Sequence, residues 1–508
     1  MPALFFSTRV VLESSASERL ADDWSKEKMG YAAALPPELS KLKLWWPWLA
    51  KRYHTPLFQI SLIGFICFCC PGMFNAVNGM GAGGLEDPKA ADNGLTALYT
   101  TFAVFGLLGG GIYNLLGPHK TLFFGCSFYI LYVGSFLYYN HHSDQAFVIA
   151  AGALLGMGAG LLWAGQGAMM TAYPTPARKG LYISLFWCIF NLGGVAGGFI
   201  PFALNYHSSY GYVNDQTYIA FMCVMAVGTL LTLALAKPES VIRDDGTRVT
   251  SVEYHNVSSE ILHVLMLFLD WRMLLLAPAC FASNFFYSYQ FNNVNAQLFD
   301  VRTRAFNNVF YWGAQMVGSA LIGYVLDYSH KTRKVRGFIG CSILMVLSTG
   351  VWGGGLASQL GYSRENQLAH KLDFKESSSF AGPFVLYFSY GFLDAMFQTL
   401  CYWVIGALTN DAWMLSRYSG FYKGVQSAGA AIAWYTDNKG VSYLGELILN
   451  WSLMTASFPL LIALLAIAVD DTTLPVPSDE IESPQKPAKS VENEAASQPS
   501  SRMDISVA

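Results

Sequence analysis

The chain has 508 residues, 53% of them hydrophobic and only 13% charged, with 47 glycines, a positive mean hydropathy and a formal charge of −3. Soluble globular chains carry about 25% charged residues, so this balance indicates a polytopic membrane protein. With no basic stripe along the chain, a nucleic-acid partner is excluded, and the lipid bilayer is the first partner to expect.

Residues 1–55 begin MPALFFSTRVVLESS and then carry Glu18, Asp22, Asp23 and Glu27. They have neither the cationic start of a secretory signal nor the acid-poor character of a transit peptide, and are expected to be a cytoplasmic tail. KLWWPW at 43–48 reads as an interfacial aromatic anchor at its end. Windows of about 20 mostly apolar residues then recur about twelve times. Residues 56–236 hold spans at about 57–79, 95–116, 120–139, 146–170, 180–204 and 218–236. A charged connection, 237–272, leads to residues 273–470, with spans at about 273–294, 304–327, 337–356, 382–408, 415–436 and 446–469. Residues 471–508 are acidic, rich in proline and serine and free of aromatics, hence expected to be a disordered tail. The predicted fold class is therefore all-α integral membrane, two six-helix bundles of about twelve spans in total.

Lysines and arginines gather on alternate connections, among them Lys51, Arg52, Lys120, Arg178, Lys179, Lys237 and the run Lys331–Arg336, which places both termini in the cytoplasm. The Asn256-Val-Ser glycan acceptor falls on that same side. All nine cysteines lie within the spans and read as small apolar packers. No phosphate loop, HExxH, GxSxG or paired-cysteine metal spacing occurs, so neither an enzyme nor a cofactor or metal site is expected.

The two halves repeat one order of signals. Phe74-Asn75-Ala-Val-Asn78 closes span 1, and Phe291-Asn292-Asn-Val-Asn295 closes span 7. Gly110-x-x-x-Asn114-x-x-Gly117 leaves span 2, and Gly323-x-x-x-Asp327 followed by Lys331 and Arg333 leaves span 8. Trp163, followed by Gly180 and Tyr182, matches Trp403, followed by Gly420 and Tyr422. Same-direction repetition of this kind marks a parallel six-plus-six repeat.

Spans 1 and 7 are interrupted at Pro71-Gly72 and Pro278, and broken segments at matching places in two repeats point to a site or gate. Asn75 and Asn78, Asn292 and Asn295, with Asn284, Gln290 and Tyr287 nearby, are expected either to line a vestibule and gate it or to glue spans 1 and 7, amide to amide. Asp394 in span 10 and Lys423 in span 11 are costly inside a bilayer and sit at depths that let them meet. They form a structural ion pair or a site that titrates or binds substrate; the corresponding first-half positions, Leu154 and Ile183, are apolar. Trp163, Gln166, Gln315, Gln398, Trp403 and Gln426 are further cavity candidates. Gly152, Gly156, Gly160, Gly193 and Gly197 follow the small-xxx-small spacing of close helix packing.

The paired Gly-x-x-x-acid and basic exits resemble the major facilitator superfamily. FNAVNGMGAGG, GALLGMGAGLLWAGQGAMMTAYP and RKGLYISLFWCIFNLGGVAGG resemble its uncoordinated-93 branch, in the style of the fungal members. The superfamily resemblance implies that Gly110, Asn114, Gly117, Gly323, Asp327, Lys331 and Arg333 form a cytoplasmic latch, weakened in the first half where Asn114 replaces an acid. It also implies a secondary transporter of a small solute. The narrower resemblance implies the alternative, a non-transporting accessory that regulates an ion channel or escorts a receptor.

Overall fold

A computed structural model of the chain describes residues 52–85, 87–175, 179–207, 212–249, 257–326, 331–367, 370–375, 377–409 and 412–469. Both tails, Asn256, Arg178 and Asp327 lie outside the described residues, as does the side chain of Asn114. Twelve helical segments, six in each half with a short connecting helix between the halves, make up the bundle among the described residues. The first half holds α1 (Pro56–Gly79), α2 (Pro88–Leu116), α3 (Pro118–His142), α4 (Gln145–Ala172), α5 (Lys179–Leu204) and α6 (Asp215–Leu231). The second holds α7, which starts as Trp271–Ala282, then α8 (Val301–Leu326), α9 (Arg333–Gln359), α10 (Ser377–Leu408), α11 (Ala412–Asn438) and α12 (Tyr443–Ala468).

Nine of these helices are long and apolar enough to cross a membrane, or ten if α7 and the segment bent 89° before it form one span. α2 and α11, of 29 and 27 residues, are the two long helices that complete the expected twelve. The 237–272 connection is more than a charged loop. It contains a short helix, Val257–Met266, and its outer face exposes Leu262, Leu265 and Met266, as suits a helix lying in the membrane interface.

Local chemistry sets the helix starts. Asp87, Asp144, Asn214, Thr332 and Ser442 each accept a hydrogen bond from a backbone N–H in the first turn of α2, α4, α6, α9 and α12. Gly117, at φ 75°, makes the sharp turn from α2 into α3 that a side chain would strain.

Glycines then set how closely the helices approach. A Cβ on Gly156 of α4 would fall 2.0 Å from the Leu98 carbonyl oxygen of α2, and one on Gly152 would fall 2.2 Å from that of Gly94. Gly193 of α5 makes room in the same way for the Phe68 carbonyl of α1. The spacing read from the sequence is thus a packing device within the first half. The two halves meet along α2 against α11 and α5 against α8.

The interruptions of α1 and α7 differ in kind. In α1, a π-helical turn at Phe68–Gly72 contains Pro71, and Met73–Gly79 continues as α-helix. In α7, helix persists through Pro278 to Ala282, gives way to turns, and resumes as a π-helix over Tyr289–Ala296. The same five-letter motif is therefore wound as α-helix in one half and as the wider π-helix in the other.

Because so close a seam leaves no space, Gly156→Val should lower the thermal midpoint of the purified chain by several degrees, the overpacking cost being about 1–3 kcal/mol or more. Gly353→Ala, where nothing lies within 4 Å of the added carbon, should melt as the parent does. Equal melting of the two variants would contradict the α2–α4 seam.

Candidate functional site

Polar side chains inside the bundle form two layers. The first lies at the asparagine end, where α1 passes into α2. Asn292 uses its whole amide there: Oδ1 accepts from the Ala82 N–H at 2.7 Å, and Nδ2 donates to Asp92 Oδ1 at 2.8 Å and Asp437 Oδ2 at 2.7 Å. One side chain thus ties α7 to α2, to α11 and to the turn after α1. Asn293 donates to Glu446 Oε2 at 2.8 Å, and Asn295 donates to the Gly79 carbonyl at 2.8 Å and the Arg304 carbonyl at 3.3 Å. Asn308 donates to the Ala76 carbonyl, Tyr387 to that of Gly79, and Asn438 to Asn93 Oδ1 at 2.6 Å.

Backbone strain is accepted to make these contacts. Ala82 sits at φ 52°, a left-handed conformation that costs about 1–2 kcal/mol for a residue with a side chain. Its N–H is the one that Asn292 holds. Gly81, at φ 78°, brings the chain so near α7 that an added carbon would fall 2.3 Å from the Phe291 oxygen.

Three carboxylates, Asp92, Asp437 and Glu446, are buried here at 2%, 5% and 1% exposure. Asp437 and Glu446 both accept from the Arg364 guanidinium, which also lies over the Tyr443 ring. Burial opposes the charge on Arg364, but the hydrogen bond and charge of Asp437, joined by Glu446, hold its pKa above the ordinary arginine value. A cavity of about 170 Å³ opens beside this cluster, lined by Asp92, Asn292, Arg304, Arg364 and Lys371 among others.

The second layer lies at mid-bundle. Asp394 is 1% exposed and surrounded by donors. Its Oδ2 accepts from Tyr287 at 2.9 Å and Gln315 at 2.6 Å, and its Oδ1 from Gln398 at 2.6 Å. The Tyr311 hydroxyl lies 3.3 Å from Asp394 Oδ2 and 2.7 Å from Gln290 Oε1, and its single proton serves one at a time. Lys423 does not touch Asp394, so the direct ion pair expected from their depths is not formed. Lys423 Nζ donates to Gln426 Oε1 at 2.9 Å, Gln426 Nε2 to Gln398 Oε1 at 3.1 Å, and Gln398 Nε2 to Asp394 Oδ1. Every donor in this relay points from the ammonium toward the carboxylate, the order in which the two charges polarise the bonds. Gln426 Nε2 is also 3.1 Å from Asn284 Oδ1, which brings Asn284 into the layer.

The remaining sequence candidates divide. Trp163 faces Lys423, its ring 4.9 Å from Nζ, whereas Trp403 stacks under Arg336 toward the basic end and takes no part in the layer. Gln166 is buried one turn beyond Trp163. Asn75 is half-buried, and Asn78 donates back to its own helix at the Phe74 carbonyl, so no amide-to-amide bond joins it to Asn295. In the latch, Lys331 is exposed and Arg333 Nη1 has no partner. Instead Arg336 donates to the last α8 carbonyl, Leu326, at 2.8 Å. Gly323 has open space where a side chain would stand.

Comparison with known proteins gives a consistent picture. A family model described as "Ion channel regulatory protein UNC-93" matches residues 87–355. UNC93-like protein 1 of Arabidopsis thaliana is 64% identical over 82% of this chain and 91% of its own length. An UNC93-like protein of Schizosaccharomyces pombe is 42% identical over 80% of this chain and 81% of its own. Among solved structures, a partially occluded inward open form of the xylose transporter XylE from E. coli superposes with a TM-score of 0.56 at 12% identity, covering 82% of this chain and 98% of that one. At that identity the likeness shows the fold.

The carboxylate cluster generates a stability prediction. Arg364→Gln strips Asp437 and Glu446 of their cation and should cost about 3 kcal/mol, read as a drop of several degrees in the melting midpoint at fixed scan rate. Adding Glu446→Gln should recover much of it. A single variant that melts like the parent would show that the cluster does not depend on Arg364.

Proposed function

The chain belongs to the UNC-93 family and has the major facilitator fold, and from that premise we propose that it moves a small solute across its membrane by alternating access. The supporting observation is the contrast between the two polar layers. At the asparagine end, hydrogen bonds between the halves close the bundle. At mid-bundle, Lys423, Trp163, Gln398, Asn284 and Tyr287 stay partly exposed although they lie among buried neighbours. Partly exposed polar side chains at mid-bundle, below an end bonded shut between the halves, are what one state of an alternating cycle requires.

The cation distribution makes the basic end cytoplasmic, so this conformation corresponds to an inward-facing state. In the opposite state the Asn292 bonds to Ala82 and Asp92 part, while those within the second half, to Asp437 and between Asn293 and Glu446, remain. The gate is therefore α7 and α11 leaving α2 and the turn after α1. Asn292 and Asn295 act in it as reversible bonds, while Asn78 packs within its own helix.

A second reading follows from the family description: an accessory subunit of a channel or receptor that keeps the fold without transporting. Such a subunit gains nothing from a carboxylate-to-ammonium relay at mid-bundle. Purified protein in proteoliposomes, tested for uptake against a panel of radiolabelled metabolites, separates the two. Transport predicts saturable uptake of at least one member, reduced more than tenfold by Asp394→Asn at normal protein abundance. Absence of uptake across the panel, with a stoichiometric channel or receptor subunit retained in mild detergent, would establish the accessory reading instead.

A further inference from the structure

The chemistry around Lys423 narrows the class of solute, an inference that rests on the transport reading. The mid-bundle layer holds one carboxylate and one ammonium, and they are not equally available. Asp394 is 1% exposed, with both oxygens accepting from tyrosine and glutamine donors. A cationic solute would have to strip those donors away and would face the Lys423 ammonium at the other end of the relay. Lys423 is only partly buried, and of its three N–H groups one is taken, by Gln426. Its other neighbours are π faces: Nζ lies 4.9 Å from the Trp163 ring centre and 5.7 Å from those of Tyr402 and Tyr422. Ring faces stabilise an ammonium without using up its donors.

These same rings form a wall. Trp163 and Trp187 stack with centroids 6.1 Å apart, and Trp187 meets Tyr402 across the junction of the two halves, also at 6.1 Å. Trp163 and Trp187 lie within 26° of parallel, Tyr402 is tilted 54° from Trp187, and the ammonium stands beside Trp163 and Tyr402. Asn284, whose Oδ1 accepts from Gln426, turns a further amide toward the same layer.

We propose that this site takes a small organic anion with a planar, apolar body: a carboxylate on Lys423 Nζ, and a ring or flat chain against Trp163, Trp187 and Tyr402. Aromatic monocarboxylates are the simplest members of the class. Wall residues come from α4, α5 and α10 and the ammonium from α11, so both halves contact such a solute.

The test uses the purified full-length chain and three probes of one size, benzoate, benzamide and benzylammonium, with binding read by quenching of tryptophan fluorescence. Benzoate should bind at least tenfold more tightly than benzamide, with benzylammonium weakest. Lys423→Gln should erase the preference for benzoate, and Lys423→Arg should keep it. Trp163→Ala should weaken benzoate and benzamide alike without changing their ratio, which keeps the proposal testable if Lys423→Gln fails to fold. Equal binding of benzoate and benzamide, a preference that survives Lys423→Gln, or no binding of any probe would overturn the assignment. Preferential binding of benzylammonium would overturn the anion class and leave the transport reading standing. Loss of the transport reading itself shows separately, as a metabolite panel with no uptake.

Discussion

Inside a bilayer a polar group needs either a partner within the chain or a water-filled cavity. Asn292 meets that constraint across both halves of the chain. Its carbonyl oxygen and both amide hydrogens are engaged, by a backbone N–H and two buried carboxylates. Those partners come from three elements, two in the first half of the chain and one in the second. The strained turn at Ala82, the close approach at Gly81 and the position of α11 against α2 all follow from satisfying this one amide.

The same constraint accounts for the relation between the two layers. At the asparagine end the partners are short and direct, carboxylate to amide to backbone, and they span the halves. At mid-bundle the charges are kept apart and joined by two glutamines within the second half. A direct ion pair between Asp394 and Lys423 would satisfy both and leave nothing to offer a solute. With the relay in place, Asp394 is saturated while the ammonium keeps unused donors among ring faces. Glycines supply the counterpart in the first half, a tightly keyed α2–α4 seam.

Much of this was legible in the sequence, for physical reasons that can be named. Hydropathy and the paired motifs gave the helices and the two halves, because apolar length and same-direction repetition are direct consequences of crossing a bilayer twelve times. Asp394, Lys423, Gln398 and Gln426 stood out because polarity within an apolar window is costly. Asp92, Asp437 and Glu446 did not, because each fell at or just beyond the edge of an apolar window: α2 begins at Pro88, well before the span expected at 95. The signal available was the repeated Asp-Asn pair, 92–93 and 437–438, whose members pair across the interface. Arg364 lay in a long connection, where a cation normally needs no explanation. The π-helical winding of Tyr289–Ala296 was illegible, since the motif it contains is wound as α-helix in its other copy.

The central claim is that the asparagine end opens and closes during function. Asn93 and Asn438 face each other there, 2.6 Å apart between side-chain atoms of α2 and α11. Replacing both by cysteine, in a chain whose exposed Cys188 and Cys223 are changed to serine, allows the two halves to be tied at this point by oxidation. Solute uptake into proteoliposomes is then measured before oxidation, after it, and after reduction. The account predicts that uptake stops when the tie forms and returns when it is reduced, with either single cysteine indifferent to both treatments. Undiminished uptake through fully cross-linked protein would contradict it.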